Sequence, residues 1–257
     1  MNSTDARAGA FDPAHFSRLF ALEAGSFWFR GRSDLIEWAL RRYFPDTRDF
    51  LEIGCGTGYV LDRLHRSFPN ISLTGTELFA EGLACARERL GDTANLSQLD
   101  ATQLTFREQF DAIGAFDVLE HIEDDAAVLA NVRTALRPGG GLLITVPQHE
   151  WMWSGTDVAA HHVRRYARPV LRDRLLGAGF EVLRITSFMT LLLPAMWLAR
   201  RRHRDGMQEV EAELALPAPF NALGRAALGV DSALIRAGIN LPAGGSLLAV
   251  ARRPQDT

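Results

Sequence analysis

Residues 51–60, LEIGCGTGYV, place Gly54, Gly56 and Gly58 within five positions, directly after an apolar run. Glycine in an ordered segment loses more conformational freedom on folding than any other residue. A chain that accepts this loss three times needs bare backbone there, and a ligand passing close over the loop is the simplest need. The spacing is G-x-G-x-G. A nicotinamide-type fingerprint requires G-x-G-x-x-G, and its third glycine position is Tyr59. A phosphate-binding loop requires Gly-Lys-Ser/Thr. Lysine is absent from the chain, and all 28 basic residues are arginine. Both common phosphate readings therefore fail on residue type.

The rest of the composition narrows the setting. With 257 residues, 47% of them hydrophobic, the chain is long enough for a full core. A net charge of −3 leaves no footprint for nucleic acid, and none is expected as a partner. Two cysteines, Cys55 and Cys85, exclude a disulfide framework and fit a reducing cytoplasm. No Cys/His spacing suggests zinc. The N-terminus is polar and lacks the basic-then-apolar order of a signal peptide. Arginine in place of lysine, with abundant alanine, points to a GC-rich bacterial genome.

Outward from the glycines, strands and helices alternate. Strands are expected at 49–53, 72–78, 95–101, 110–118, 142–146 and 180–188. Helices are expected at 33–44, with Ser33 as N-cap, and at 59–68, 79–90, 124–136 and 168–176. This alternation implies a parallel sheet with helices on both faces. Residues 189–245 break the rhythm, and 246–252, SLLAVAR, read as a returning strand. The expected organisation is an N-terminal helical and aromatic lid segment at 1–45, a ligand-binding α/β core at 46–188, a helical insertion at 189–245, and a final core strand with its tail at 246–257.

The run Glu52–Gly58, EIGCGTG, resembles the first motif of the class I S-adenosylmethionine-dependent methyltransferases. The resemblance covers about residues 48–188 in order, and the last strand also fits. Glu77 and Leu78 end the second strand, where this family places an acidic residue on the ribose hydroxyls. Asp100 and Ala101 end the third, where an acidic residue meets the adenine amino group. Phe116–Ile122, FDVLEHI, ends the fourth, where Phe116 and Asp117 would meet the methionine part of the cofactor. Arg137–Gly141, RPGGG, occupies the family's habitual turn. The resemblance implies a Rossmann-like seven-stranded sheet with its last strand antiparallel, and S-adenosylmethionine as cofactor with S-adenosylhomocysteine as product. The cofactor carries no phosphate, so the absence of lysine is consistent. Its carboxylate suits backbone N–H groups at a helix N-terminus. Glu52 suits its ammonium, and a carboxylate such as Glu77 suits a diol through charge-assisted bonds. Cys55 reads as a small filler between motif glycines.

Methyl transfer is a displacement that needs alignment, exclusion of water and, for a hydroxyl acceptor, a base near neutrality. His121, His161 and His162 are the candidates, each with an alternative structural or cofactor-orienting role. Arg164, Arg165 and Tyr166 either bind an acidic group of the substrate or form a solvated rim. Phe27, Trp28 and Phe29 read as a lid ahead of the first helix, with Trp28 on the cofactor, or as a core staple. Leu191–Ala199 with Arg200–Arg204 reads as an acceptor lid, a membrane-surface segment, a dimer face or a core helix, and is too short to span a bilayer. No paired acidic metal site is evident, so no metal is expected. The expected activity is methyl transfer to oxygen or nitrogen of a small or lipid-like acceptor, in the cytoplasm, with peripheral contact at the inner face of the membrane and a homodimer as further expectations. The alternative is a cofactor-binding module without catalysis, acting as a membrane-associated scaffold.

Overall fold

Buried apolar runs flanked by glycine and turn residues build the sheet first. β1 (Asp49–Ile53) is buried at four of its five positions, as a central strand covered on both faces must be. Around it stand β2 (Ser72–Glu77), β3 (Asn95–Gln98), β4 (Phe110–Phe116), β5 (Leu136–Pro147), β6 (Glu181–Phe188) and β7 (Ser246–Arg252), in the order β3-β2-β1-β4-β5-β7-β6. The first five run parallel. β7 enters between β5 and β6, antiparallel to both. The computed structural model describes residues 14–200 and 216–255. The first thirteen residues and Arg201, Arg202 and Arg204 lie outside that range.

Alternating side chains send one set to each face of the sheet. Phe50, Leu73, Leu143, Phe188 and Leu248 pack against α2 (Phe27–Tyr43), α3 (Tyr59–Ser67) and α4 (Ala80–Leu90). Leu51, Ile113, Ile144 and Leu247 pack against α5 (Asp125–Ala135) and α7 (Arg168–Gly177). α1 (Ala14–Leu22) lies against α4. The sheet and its two helical layers match the fold expected from the resemblance.

Several local expectations are corrected. α2 starts at Phe27, not near Ser33. Its N-cap is Ser26, whose hydroxyl accepts from the Trp28 N–H at 3.3 Å, and Ser33 is buried in the helix interior. The three aromatics are therefore the first turn of this helix, not a segment ahead of it. Gly31 lies inside α2 because Leu228 occupies the space where a Cβ would stand. β3 stops at Gln98, and Asp100 instead caps a short 3-10 turn at 101–103 by accepting from the Thr102 N–H at 2.8 Å. The RPGGG run lies within β5 as an irregularity, with the pairing to β4 passing from Phe110–Leu136 to Ala112–Gly141.

The segment 189–245 contributes α8 (Leu193–Arg200) and α9 (Ala218–Arg236). α9 crosses α2 closely. Phe27 N–H donates to Asn221 Oδ1 at 2.7 Å, Asn221 Nδ2 donates to the Gly25 carbonyl at 2.6 Å, and a Cβ at Gly224 would stand 2.9 Å from the Phe27 ring. The insertion thus fixes the end of α2 that bears Trp28 and Arg32. Leu192 and Met196 of the α8 region pack on the core, whereas Leu191, Trp197 and Leu198 are exposed. Among the described residues no helix is long and apolar enough to cross a membrane.

Candidate functional site

Ligands of open α/β sheets bind beyond the carboxyl ends of the strands. Here that edge carries a cavity of about 1280 Å³. Pockets for drug-sized ligands measure roughly 300–1,000 Å³, so this cavity is larger than a single such ligand needs. Glu52, Gly54, Cys55, Gly56, Glu77, Leu78, Asp100, Ala101, Phe116, Asp117, Trp28, His121, His161 and His162 all line it. Gly58 does not: it is the N-cap of α3, behind the loop.

The glycine question has a direct answer. Gly54, Gly56 and Gly58 have φ of +63°, +54° and +77°, the left-handed region that side chains disfavour. A Cβ on Gly54 would stand 2.7 Å from Val118, and one on Gly58 2.9 Å from Leu90. Above Gly56 the space is open, with Phe16 at 4.0 Å as the nearest neighbour. Gly56 N–H donates to Glu77 Oε2 at 2.8 Å, while Phe79 N–H donates to Glu77 Oε1 at 3.0 Å. The carboxylate that ends β2 therefore also holds the loop that follows β1. Burial raises the Glu77 pKa, and these backbone donors oppose the rise.

Glu52 is buried at 3% exposure, and its Oε2 has no hydrogen-bond partner. Burial pushes its carboxyl up to about 8, with the Arg32 guanidinium lowering it and Glu77 and Glu23 adding to the rise. Cys55 is buried in the same wall. Burial drives its thiol up, which fits a filler and not a nucleophile.

Arg32, one turn beyond Trp28 on α2, is a site residue that the motif reading misses. It pairs with Asp117 and sits 4.3 Å from the centroid of the Trp28 ring. Asp117 adopts φ +56° at the tip of β4, where the chain turns sharply. Phe27 and Phe29 are buried, and Trp28 is half-buried on the cavity wall. The staple and the lid readings thus divide between neighbouring residues.

The three histidines separate. His121 and His162 meet edge to face, with ring centroids 4.8 Å apart. His121 faces the cavity, yet the protein around it and the adjoining His162 push its pKa down to about 4. His162 Nδ1 lies 2.8 Å from Asp157 Oδ1. Asp157, in the short helix α6 (Gly155–Ala159), is fully buried, also accepts from Arg165 Nε at 2.7 Å, and is held down at about 2. His161 is exposed, at φ +56°. Arg164 reaches the carbonyls of Ile122 and Glu123, and Tyr166 donates to Asp125 at 2.8 Å. Those two side chains brace the turn after β4 and form no solvated rim.

Residues 51–142 match the family described as a methyltransferase domain. A probable S-adenosylmethionine-dependent methyltransferase of Mycolicibacterium smegmatis is 30% identical over 166 residues, or 61% of this chain and 60% of that protein. A ubiquinone biosynthesis O-methyltransferase of Rhodopseudomonas palustris is 24% identical over 64% of this chain and 74% of its own length. Phosphoethanolamine N-methyltransferase 2 of Haemonchus contortus, solved with S-adenosyl-L-methionine, has the same fold. Its TM-score is 0.58 at 22% identity, over 85% of this chain and 52% of that one. The chain spans 60% or less of the length of three of the curated relatives it matches.

Proposed function

We propose that this chain, a member of the class I S-adenosylmethionine-dependent methyltransferase family, binds S-adenosylmethionine against the β1–α3 loop and transfers its methyl group to a small or lipid-like acceptor. The observation that carries this reading is Glu52. A buried carboxylate with an unpartnered oxygen, beside three left-handed glycines, is costly unless a cationic ligand meets it. The ammonium of the cofactor's methionine end fits that need. Glu77 offers its remaining lone pairs to the ribose diol. Asp100 stands at the adenine end, with Leu78, Ala101 and Phe116 as apolar walls. Trp28 covers the methionine end, and Asp117 with Arg32 closes it. The cofactor, when bound, supplies a methyl group on a cationic sulfur.

The chain's own task is then to align the acceptor and exclude water. α8 forms the acceptor lid, and Leu192, Ala195, Met196 and Ala199 give the cavity an apolar side. That lining suits a quinone-like or lipid-like molecule. The Rhodopseudomonas relative is described as an O-methyltransferase, and an oxygen acceptor fits the histidine wall, because a hydroxyl must lose a proton. With Nδ1 engaged by Asp157, Nε2 is the His162 nitrogen left for an acceptor, and His121 stands beside it. Exposed Leu191, Trp197 and Leu198, with the arginines that follow α8 in sequence, suit a peripheral membrane contact.

Incubation with S-adenosylmethionine and a panel of polyprenyl catechols, hydroquinones and amines should release S-adenosylhomocysteine with at least one acceptor. Tight binding with no turnover on any acceptor would support a binding module instead.

A proton should also leave when the cofactor product binds. Glu52 ionises near 4.5 in the unfolded chain and near 8 in the folded one, so it is protonated in the empty site at pH 7. Pairing with an ammonium favours the carboxylate. Calorimetry of S-adenosylhomocysteine at pH 7, in two buffers of different ionisation enthalpy, should show proton release that Glu52→Gln removes. The same shift makes the unliganded protein lose stability as pH rises from about 4.5 through 8, because across that window the unfolded chain holds fewer protons. Equal heats in both buffers would remove Glu52 from the ammonium site.

A further inference from the structure

Glu120, His121 and His162 each bring one ligand atom to the cavity wall, all within 4.8 Å of one another. They come from two loops. Glu120 and His121 lie in the short turn after β4, and His162 follows α6. The loops are tied together where Val163 N–H donates to the Glu120 carbonyl at 2.7 Å. Glu120 is 1% exposed, and its Oε2 has no partner. This is a second buried carboxylate oxygen, separate from that of Glu52, which the cofactor reading leaves unexplained.

We propose that Glu120, His121 and His162 form a site for a divalent transition-metal ion of the zinc type. Two imidazoles and one carboxylate are a donor set such ions take, with a further position left for water or an oxygen of a substrate. Calcium and magnesium prefer oxygen donors throughout. The surroundings of His162 match what a metal-bound histidine needs. Such a histidine turns its second nitrogen to a carboxylate or a backbone carbonyl. His162 Nδ1 meets Asp157, which is itself fixed by Arg165 and by the Ser154 N–H at 2.9 Å. The His121 ring packs edge to face on the His162 ring, with centroids 4.8 Å apart. The His162 ring is thus oriented from behind, and Nε2 is the nitrogen it has left to offer.

The charge arrangement also leaves room for a cation. Arg32 pairs with Asp117, and Arg165 with Asp157. Arg200 lies 3.8 Å from Asp157 as well. Arg165 and Arg200 share Asp157, and among the described residues no guanidinium forms an ion pair with Glu120, which is left to balance the ion. Ligand bonds of about 2.1 Å hold tetrahedral donor atoms about 3.4 Å apart, so the three side chains close inward around it. The sequence reading expected no metal because it looked for paired acidic residues. The donors here are one acid, its neighbour, and a histidine forty residues further along the chain that only the fold brings near.

The site uses the two histidines that the acceptor reading also uses, so its test reads metal binding and cofactor binding without relying on turnover. Chelator-treated protein is titrated with zinc chloride against a chromophoric zinc indicator, and S-adenosylhomocysteine binding is measured on the same samples. One equivalent should bind with a dissociation constant of about 10 µM or tighter. His162→Ala and Glu120→Gln should each weaken binding at least 100-fold, and Asp157→Asn about 10- to 100-fold. All three variants should retain S-adenosylhomocysteine binding, which reports that they are folded. No zinc binding below about 100 µM, or unchanged stoichiometry and affinity in folded Glu120→Gln and His162→Ala, would overturn the proposal. Failure of S-adenosylhomocysteine to bind the wild-type chain would overturn the cofactor reading and leave the zinc result standing on its own.

Discussion

Arg32→Ala is expected to lower folding stability by about 3–5 kcal/mol, the scale on which removal of one partner breaks a buried ion pair. Arg32 is 7% exposed and meets Asp117, whose side chain keeps only 20% of its exposure. Without the guanidinium, Asp117 stands charged and unpaired in a left-handed turn. Glu52 and Glu120 lose a cation that lowers the pKa of each. The Trp28 ring loses its contact with the guanidinium, worth about 0.5–2 kcal/mol. Urea denaturation of the two proteins measures the difference. Asp117→Ala added to Arg32→Ala should restore part of the loss, because it removes the stranded charge. A loss below about 1 kcal/mol would mean that water screens the pair and that Arg32 is no keystone of the site.

Glu77→Ala is expected to weaken S-adenosylhomocysteine binding by about 1.5–3 kcal/mol, or about 10- to 150-fold. Two losses combine. The ribose loses a charged acceptor, and the Gly56 and Phe79 N–H groups lose the carboxylate that holds the loop over the cofactor. Glu77→Gln keeps one carbonyl acceptor but not the charge, so it should fall between wild type and alanine. Calorimetry on variants whose circular dichroism matches wild type decides. Unchanged affinity in a folded Glu77→Ala protein would take this residue out of the cofactor site.

The ends of β1, β2 and β4 were legible in the sequence because an acidic residue stands at or beside the point where the strand stops, whereas β3 stops at Gln98, short of the Asp100 expected at its end. Glu52, Glu77, Gly54 and Gly56 are placed on one rim by the resemblance of the EIGCGTG motif and its strand-end acid to the methyltransferase family. Gly58, placed with them, stands behind the loop. Arg32 could not be placed, because the aromatic triplet obscured where α2 begins. One signal was available. Arg32 precedes Leu35, Ile36 and Ala39 at helical spacing on what is the buried face, and a charge on that face implies a buried partner. Asp157 was hidden for another reason. The turn that carries it is a five-residue helix with little hydrophobic periodicity, so nothing local tied it to His162. The choice among three histidines likewise depends on which loops the sheet brings together, and that is information of the fold.

The placement of β7 has a consequence for how the chain is made. A ribosome delivers β6 before β7, yet in the finished sheet β6 bonds to β7 and to no other strand. β5, already paired with β4, keeps its other edge open during the same interval. Residues 189–245 must all emerge before the strand that closes both edges exists. At about 5–20 residues per second the nascent sheet spends several seconds with open edges, the kind of surface on which unfinished chains join one another. Synthesis halted or cut inside 189–245 would release a chain with six of the seven strands and an open β5 edge, able to pair with its own kind.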